Sequence, residues 1–164
     1  MLTDLRAGVP EALAAVYRSH AARLLRTAYC LTGSVADAED VVQDLFVGLP
    51  EALASYEERG VFEAWLNAIV IRMALMRMRT ASRRREVGLE AGSRGPAGGS
   101  GETRLEITAA LDTLSPSQRV VVVLFAIEGY SHQEIGELLG IRRGTSEVRL
   151  HRALARLRRL LAEG

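Results

Sequence analysis

The stretch IRRGTSEVRLHR at 141–152 contains residue types that can bind the edges of DNA bases. Arginine can bind guanine through two hydrogen bonds, and glutamate can accept one from the cytosine amine. The preceding Ser131 and Glu134 have the spacing of a helix capping box, and Gly140 ends that short helix. Two helices joined by a short glycine-containing turn predict a helix-turn-helix, whose second helix enters the major groove. The residues predicted to face the bases are Arg142, Arg143, Thr145, Ser146, Glu147 and Arg149.

Two residues further along the same helix, His151 and Arg152, are better placed for phosphates, which position a protein but do not specify sequence. The alternative is an amphipathic helix with a solvated arginine face. The capped helix and the glycine turn before it favour the DNA-binding interpretation.

A second basic block, Arg72 to Arg85, has no acidic residue between Glu63 and Glu86. Its arginines could follow a phosphate backbone, or they could complement the negative end of a helix dipole. Tyr56, Phe62 and Trp65 lie just before the block, where exposed aromatic rings could stack on unpaired bases. Core packing is the more common role for aromatic residues at helical spacing.

An acidic block without any arginine lies between Arg26 and Arg59. Asp37, Asp40 and Asp44 fall on one line of a predicted helix, because residues three and four apart are neighbours on its surface. With Gln43, they could bind a basic protein surface, although a solvated face is the usual meaning of a charge run.

Enzymatic chemistry has little support in the sequence. The three histidines are scattered, and there is no metal-ligand spacing or glycine-rich phosphate loop after a strand. The single cysteine, Cys30, excludes an internal disulfide and a CxxC pair. We therefore expect no catalytic residues, no metal and no cofactor.

The net charge of the chain does not reveal that its acidic and basic residues are separated into blocks. The 164 residues contain 21 basic and 20 acidic residues, for a net charge of +1, and every basic residue is arginine. A preference for phosphate and guanine would favour arginine over lysine, and so would a high-GC coding bias. No apolar run approaches the roughly 20 residues that span a bilayer, and no secretory signal is visible, so a cytoplasmic protein is expected.

The elements that position these residues are predicted to be helices throughout. A helix begins near Pro10 and ends at Gly33, the next is capped by Ser34, and a long helix covers 62–85, with Met76 on its apolar face. In the second half, VVVVLFAI at 120–127 has the β-branched composition of a strand but is interpreted as a buried helix. The turn is expected at 141–144, with Thr145 capping a last helix whose apolar stripe is Leu150, Leu154, Leu157 and Leu161.

Glycine, serine and proline dominate 87–104, which predicts a flexible linker between a domain at 1–86 and a domain at 105–164. The predicted fold class is all-α: two small helical domains, the second a helix-turn-helix.

Two motifs resemble a known family. DAEDVVQDLF at 37–46 and FEAWLNAI at 62–69 resemble domain 2 of the extracytoplasmic-function (ECF) sigma factors of bacterial RNA polymerase. The segment 114–161, beginning LSPSQRVVVV, resembles their domain 4. The likeness covers nearly the whole chain outside the linker, with the motifs in the family's order.

This resemblance implies a sigma factor that directs promoter-specific initiation by binding core RNA polymerase and the −10 and −35 promoter elements. Core-binding positions, on the clamp helices of the β′ subunit, would be Asp37, Glu39, Asp40, Gln43 and Asp44. Positions at the −10 element would be Tyr56, Phe62, Trp65, Arg72, Arg77 and Arg79. The last helix would read the −35 element, and the helices before it would contact the β flap. An anti-sigma factor is an open further partner, and membrane insertion is not expected.

The sequence departs from the family at a few positions. Ser146, Glu147 and Val148 stand where Val-Lys-Ser is frequent, and Arg72 and Met76 stand where Asn and Asp are common. A decoy that binds an anti-sigma factor without initiating transcription therefore stays open. An autonomous helix-turn-helix repressor is a second alternative, but it leaves the acidic motif without a role.

Overall fold

The structure is a computed structural model that describes residues 1–88 and 102–163, and side chains in the second range from residue 106. The chain divides into two compact units, Met1–Pro96 and Ala97–Gly164. All regular elements in the described ranges are helical, so the predicted all-α fold is confirmed. Most of the predicted linker, 89–101, lies outside the described residues.

In its described part, residues 1–88, the first unit contains four α-helices: α1 (Leu2–Arg6), α2 (Pro10–Thr32), α3 (Val35–Ala52) and α4 (Phe62–Glu86). Pro10 occupies the first turn of α2, where its missing N–H costs nothing. Gly33 ends that helix in the left-handed conformation, with φ of 67°. The Ser34 side chain then accepts a hydrogen bond from the Asp37 N–H and begins α3, as the sequence predicts.

Helices α2, α3 and α4 pack against one another around an aliphatic core. The apolar side of α3 is buried in this core, with Val41, Leu45 and Leu49 at 2% exposure or less. Pro50 does not begin a new turn: α3 continues through it to Ala52, followed by a 3-10 turn at Leu53–Ser55.

The apolar face of α4 differs from the prediction at one residue. Met76 is 64% exposed, whereas Ala74 and Leu75 are buried. The buried positions advance in adjacent pairs along α4 because this helix packs against both α2 and α3. A single stripe at helical spacing therefore does not describe its buried surface.

The second unit contains α5 (Glu102–Asp112), α6 (Pro116–Val122), a π-helical stretch (Val123–Ile127), α7 (His132–Leu139) and α8 (Arg143–Glu163). The β-branched run is helical, as predicted, because Val120 to Leu124 are buried against the neighbouring helices. Its last five residues adopt π geometry, which the sequence did not indicate. The capping box of Ser131 and Glu134 is present.

Candidate functional site

The acidic surface, defined as Asp37, Asp40 and Asp44, lies on the outer face of α3. Asp40 and Asp44 are exposed and Asp37 is half-buried. Glu39 and Gln43 of the same motif are exposed as well. Because the opposite face of α3 is buried in the core, the helix presents these carboxylates as a fixed group. Such a group can bind a basic protein surface through charge-assisted hydrogen bonds.

Arg77 of α4 bridges two members of the acidic surface. Its Nε donates to Oδ1 of Asp37 at 2.8 Å, and its Nη2 donates to Oδ2 of Asp40 at 2.6 Å. The hydrogen bond to Asp37 raises the pKa of Arg77 above its ordinary value, and the charges of Asp37, Asp40 and Asp44 add to this effect against the cost of burial. The sequence grouped Arg77 with the arginines that contact DNA, but its guanidinium lies on the acidic surface instead.

The three aromatic residues before the basic block form a packed cluster. The rings of Tyr56 and Trp65 lie 4.7 Å apart, and those of Phe62 and Trp65 lie 5.8 Å apart. Tyr56 is only 8% exposed, so in this conformation its ring cannot stack on a base. Phe62 and Trp65 are half-buried against the core. The structure therefore favours the core interpretation for Tyr56, which the sequence had left open.

Arg6 secures the loop that carries this cluster. Its Nε donates to the Leu53 carbonyl at 3.2 Å, and its Nη2 donates to the Tyr56 carbonyl at 3.3 Å. These bonds link α1 to the segment just before α4. Nothing in the sequence pattern indicated this role, because the partners are main-chain groups about fifty residues away.

The remaining predicted residues of α4 lie on its outer surface. Arg72 and Arg79 are exposed, two turns apart along the helix. Three further arginines, Arg83 to Arg85, occupy the last turn, where cations suit the helix dipole. The basic surface, defined as Arg72 and Arg79, can contact a nucleic-acid backbone.

The helix-turn-helix consists of α7, a tight turn and α8. Gly140 ends α7 with φ of 66°, a left-handed conformation that favours glycine. Helix α8 begins at Arg143, three residues earlier than a cap at Thr145 predicts, so Thr145 lies inside the first turn and is not the cap. The N–H groups of Thr145 and Ser146 both bond to the carbonyl of Arg142, which sets the start of α8.

Gly136 allows the two helices to approach closely. A Cβ atom at this position would lie 2.8 Å from the Ile141 carbonyl oxygen and 3.6 Å from the Arg143 nitrogen. Both are main-chain atoms, which cannot move aside as a flexible side chain can. The sequence reasoning missed this glycine, because a glycine within a helical pattern does not reveal its tertiary neighbour.

Most predicted base-facing residues of α8 are accessible. Arg142, Arg143 and Glu147 are exposed, and Thr145 and Arg149 are half-buried. His151 and Arg152, which were predicted to bind phosphates, are exposed as well. Nε of Arg143 donates to Oε1 of Glu147 at 2.9 Å, one turn along the helix.

Ser146 was predicted to face DNA, and that prediction is wrong. Its exposure is 0%, and its Oγ lies 2.9 Å from Nδ1 of His132 on α7. The His132 ring in turn stacks on Phe125, with ring centroids 4.5 Å apart. Ser146 joins the two helices because its position on α8 points inward, in register with the buried Leu150 and Ala153. Val148, which the sequence reasoning did not select, is 49% exposed.

The apolar stripe predicted for α8 is buried only in its first part. Leu150 is 9% exposed, Leu154 and Leu157 are half-buried, and Leu161 is 81% exposed. The buried face runs through Ser146, Leu150 and Ala153, where α8 contacts α6 and α7.

Within the described ranges, no group of three or more potential ligands could hold a metal ion. No helix in these ranges is both long and apolar enough to cross a membrane.

Comparison with known proteins connects these surfaces to one family. The family model "Sigma-70 region 2" matches residues 16–84, which include the acidic surface and most of α4. The model "Sigma-70, region 4" matches residues 104–157, which include α7, the turn and most of α8. The ECF RNA polymerase sigma factor SigL of Mycobacterium tuberculosis is 35% identical over 158 residues, which cover 91% of this chain and 88% of SigL. The chain belongs to the ECF sigma factors of bacterial RNA polymerase. Sigma factors of this family direct promoter-specific transcription initiation.

Two further similarities agree with this membership. The ECF RNA polymerase sigma factor SigE of Mycolicibacterium smegmatis is 39% identical over 155 residues, covering 89% of this ECF sigma factor and 60% of SigE. The chain therefore spans about three fifths of SigE. The structure of the sigma factor RpoE in complex with the anti-sigma factor NepR from Bartonella quintana matches with a TM-score of 0.64 and 27% identity, over 93% of this chain and 98% of RpoE.

Proposed function

We propose that this ECF sigma factor binds core RNA polymerase through the acidic surface of α3. The supporting observation is that Asp40 and Asp44 project from a helix whose other face is locked in the core. The resemblance to the family supports this proposal, since it implies that these residues, with Asp37, Glu39 and Gln43, bind the β′ clamp helices. A fixed row of carboxylates suits a basic helical partner and speeds encounter by electrostatic steering.

The promoter contacts divide between the two units. The basic surface of α4 contacts the −10 element, and Arg72 and Arg79 bind the sugar-phosphate backbone of the DNA there. Phe62 and Trp65 border this region as half-buried rings. Arg142 and Arg143, at the start of α8, read base edges of the −35 element, while His151 and Arg152 bind phosphates. We assign 1–86 and 105–164 to these two roles, with 87–104 as the connection.

The protein acts in the cytoplasm, where RNA polymerase works, and it carries no catalytic residue of its own. Phosphodiester chemistry belongs to the polymerase. An anti-sigma factor is a further partner, since the similar RpoE was solved in complex with one. The β flap is the expected polymerase contact of the second unit.

In vitro transcription with core polymerase from the same organism, on a library of promoters, tests this function directly. The full chain should initiate from a subset that shares −10 and −35 sequences. Core binding without initiation from any promoter would instead indicate a decoy. DNA binding as a dimer without polymerase would indicate an autonomous repressor.

One pair of variants separates the core-binding role from nonspecific charge effects. Asp44→Arg reverses a charge on the acidic surface and should abolish core binding. Glu11→Arg makes the same charge change at an exposed position on α2 and should bind core normally. Equal core affinity of the two variants contradicts the assignment of the acidic surface.

A second pair addresses the −35 element. Arg152→Ala should weaken binding to all promoters alike and reduce the salt dependence of the affinity by about one ion. Arg158→Ala removes an exposed arginine six residues further along α8 and should have a smaller effect. Retention of the full salt dependence by Arg152→Ala would exclude it from the phosphate contacts.

A further inference from the structure

Arg77 belongs by sequence to the basic block of α4, but its contacts belong to the acidic surface. We propose that Arg77 is a positioning residue for core polymerase binding: it holds Asp37 and Asp40 in the arrangement that the polymerase binds, and it does not contact promoter DNA. This inference rests on the proposed function of the acidic surface.

The geometry of the bridge supports an orienting role. Arg77 uses two different nitrogens for two different carboxylates, Nε for Asp37 and Nη2 for Asp40. The planar guanidinium fixes the angle between these two bonds, which an ammonium group cannot do. The bridge therefore sets where the Asp40 carboxylate points, relative to both α3 and α4.

The exposures of the three side chains show which of them remains available to a partner. The side chains of Asp37 and Arg77 are 34% and 37% exposed, whereas that of Asp40 is 51% exposed. Arg77 bonds only Oδ2 of Asp40, so Oδ1 of Asp40 is not engaged by this bridge. A basic residue of the polymerase can approach the outer oxygen while Arg77 holds the inner one.

Charge repulsion gives the second reason. Asp37, Asp40 and Asp44 lie three and four residues apart on one helix face, where like charges repel. No titratable group of the opposite sign on α3 faces them, and Arg77 supplies a positive charge from the neighbouring helix. Without it, the two carboxylates would turn apart toward water, and the polymerase would have to order them on binding.

The same contacts argue against a DNA role for Arg77. A guanidinium that moved to a phosphate would leave two carboxylates unbridged on a surface close to polyanionic DNA. Arg72, five residues earlier on α4, is exposed and has no ion pair among the described residues.

The test measures the affinity of the labelled full chain for core polymerase at low salt. Arg77→Met should weaken core binding about three- to tenfold, which corresponds to one hydrogen-bonded charge contact at a half-exposed site. Arg83→Met removes a positive charge from the exposed last turns of the same helix and should stay within twofold of the wild type. Arg77→Lys keeps the charge but lacks the fork, so it should recover only part of the loss.

A double-mutant cycle with Asp40→Ala shows whether Arg77 acts through that carboxylate. The loss caused by Arg77→Met should shrink to within twofold once Asp40 is replaced. A loss of equal size in both backgrounds would mean that Arg77 acts by another route and would overturn the proposal. If loss of the bridge instead caused a general folding defect, the Arg77→Lys variant would also have a lower melting temperature than the wild type.

Two other results would overturn the proposal. Normal core affinity with weaker binding to a −10 fragment would make Arg77 a DNA contact. Tighter core binding by Arg77→Met would mean that the bridge competes with the polymerase. If the wild type itself fails to bind core polymerase, the proposed function fails first, and that outcome is distinct from any effect of Arg77.

Discussion

Replacement of Gly136 by alanine should destabilise the helix-turn-helix. The added Cβ would lie 2.8 Å from the Ile141 carbonyl oxygen, which is closer than such atoms approach in folded proteins. The Gly136 carbonyl also accepts a hydrogen bond from the Ile141 N–H at 3.0 Å, so the turn cannot move away without stretching that bond. Helix α7 and the start of α8 must therefore separate.

The size of the effect follows from two opposing contributions. Overpacking of a well-packed site costs about 1–3 kcal/mol. Alanine is favoured over glycine within a helix by about 1 kcal/mol, which offsets part of that cost. We expect a net loss of up to about 2 kcal/mol in the free energy of unfolding of the second unit, and each kcal/mol lost lowers Tm by roughly 4–8 °C.

Two spectroscopic signals separate the two units in one sample. The single tryptophan, Trp65, lies in the first unit, so its fluorescence reports unfolding there, while far-UV circular dichroism reports both units. Gly136→Ala should lower the temperature of the unfolding transition that circular dichroism detects but Trp65 fluorescence does not. The transition temperature reported by Trp65 should stay unchanged. Affinity for a −35 fragment should fall about tenfold, because Arg142 and Arg143 shift with the turn and a good bidentate base contact is worth about 1–3 kcal/mol.

Gly144→Ala is the matched control. A Cβ at Gly144 meets no atom within 4 Å, although this glycine lies in the first turn of α8. The control should therefore be neutral or slightly stabilising. If Gly136→Ala behaved like Gly144→Ala in both stability and DNA affinity, the close approach would not determine the packing of the two helices.

Three further predictions concern single side chains. Ser146→Ala should cost about 0.5–1.5 kcal/mol of stability, because the His132 ring loses its partner, and a loss of DNA affinity without loss of stability would contradict its buried role. The hydrogen bond from the Ser131 N–H lowers the pKa of Glu134 below its ordinary 4.5, so its contribution to stability is present above that pH and is lost as the pH falls. Glu134→Gln should therefore weaken the acid dependence of Tm in the second unit, and an unchanged pH profile would exclude this source. Arg6→Ala should speed amide hydrogen exchange in the loop before α4 without affecting the helix-turn-helix, and uniform exchange changes across both units would contradict a local role.

The sequence predicted the features that depend on a few neighbouring residues. Ser34, Gly33, Ser131 and Gly140 cap or end helices at the predicted positions, because a cap needs only the side chain and the adjacent backbone. The motif order also sufficed for the family. The predicted start of α8 was wrong by three residues, because the carbonyl of Arg142 accepts the first hydrogen bonds of the helix and its side chain gives no capping signal.

The errors in the candidate site come from contacts between distant elements. Tyr56 is buried because it packs against α4, and Ser146 is buried because α8 turns that face toward α7. Arg77 lies 37 residues from Asp40 in sequence, and only the packing of α4 on α3 brings them together.

The sequence alone thus determined the main helices, where charge of each sign is concentrated, and which family the chain resembles. These properties follow from local hydrogen bonding and from residue order. The tertiary structure decided which member of each charged block faces outward. The rotation of each helix about its axis when the helices pack determines which residues face outward. For this reason Ser146 is buried in the core and Arg77 bonds to the acidic surface.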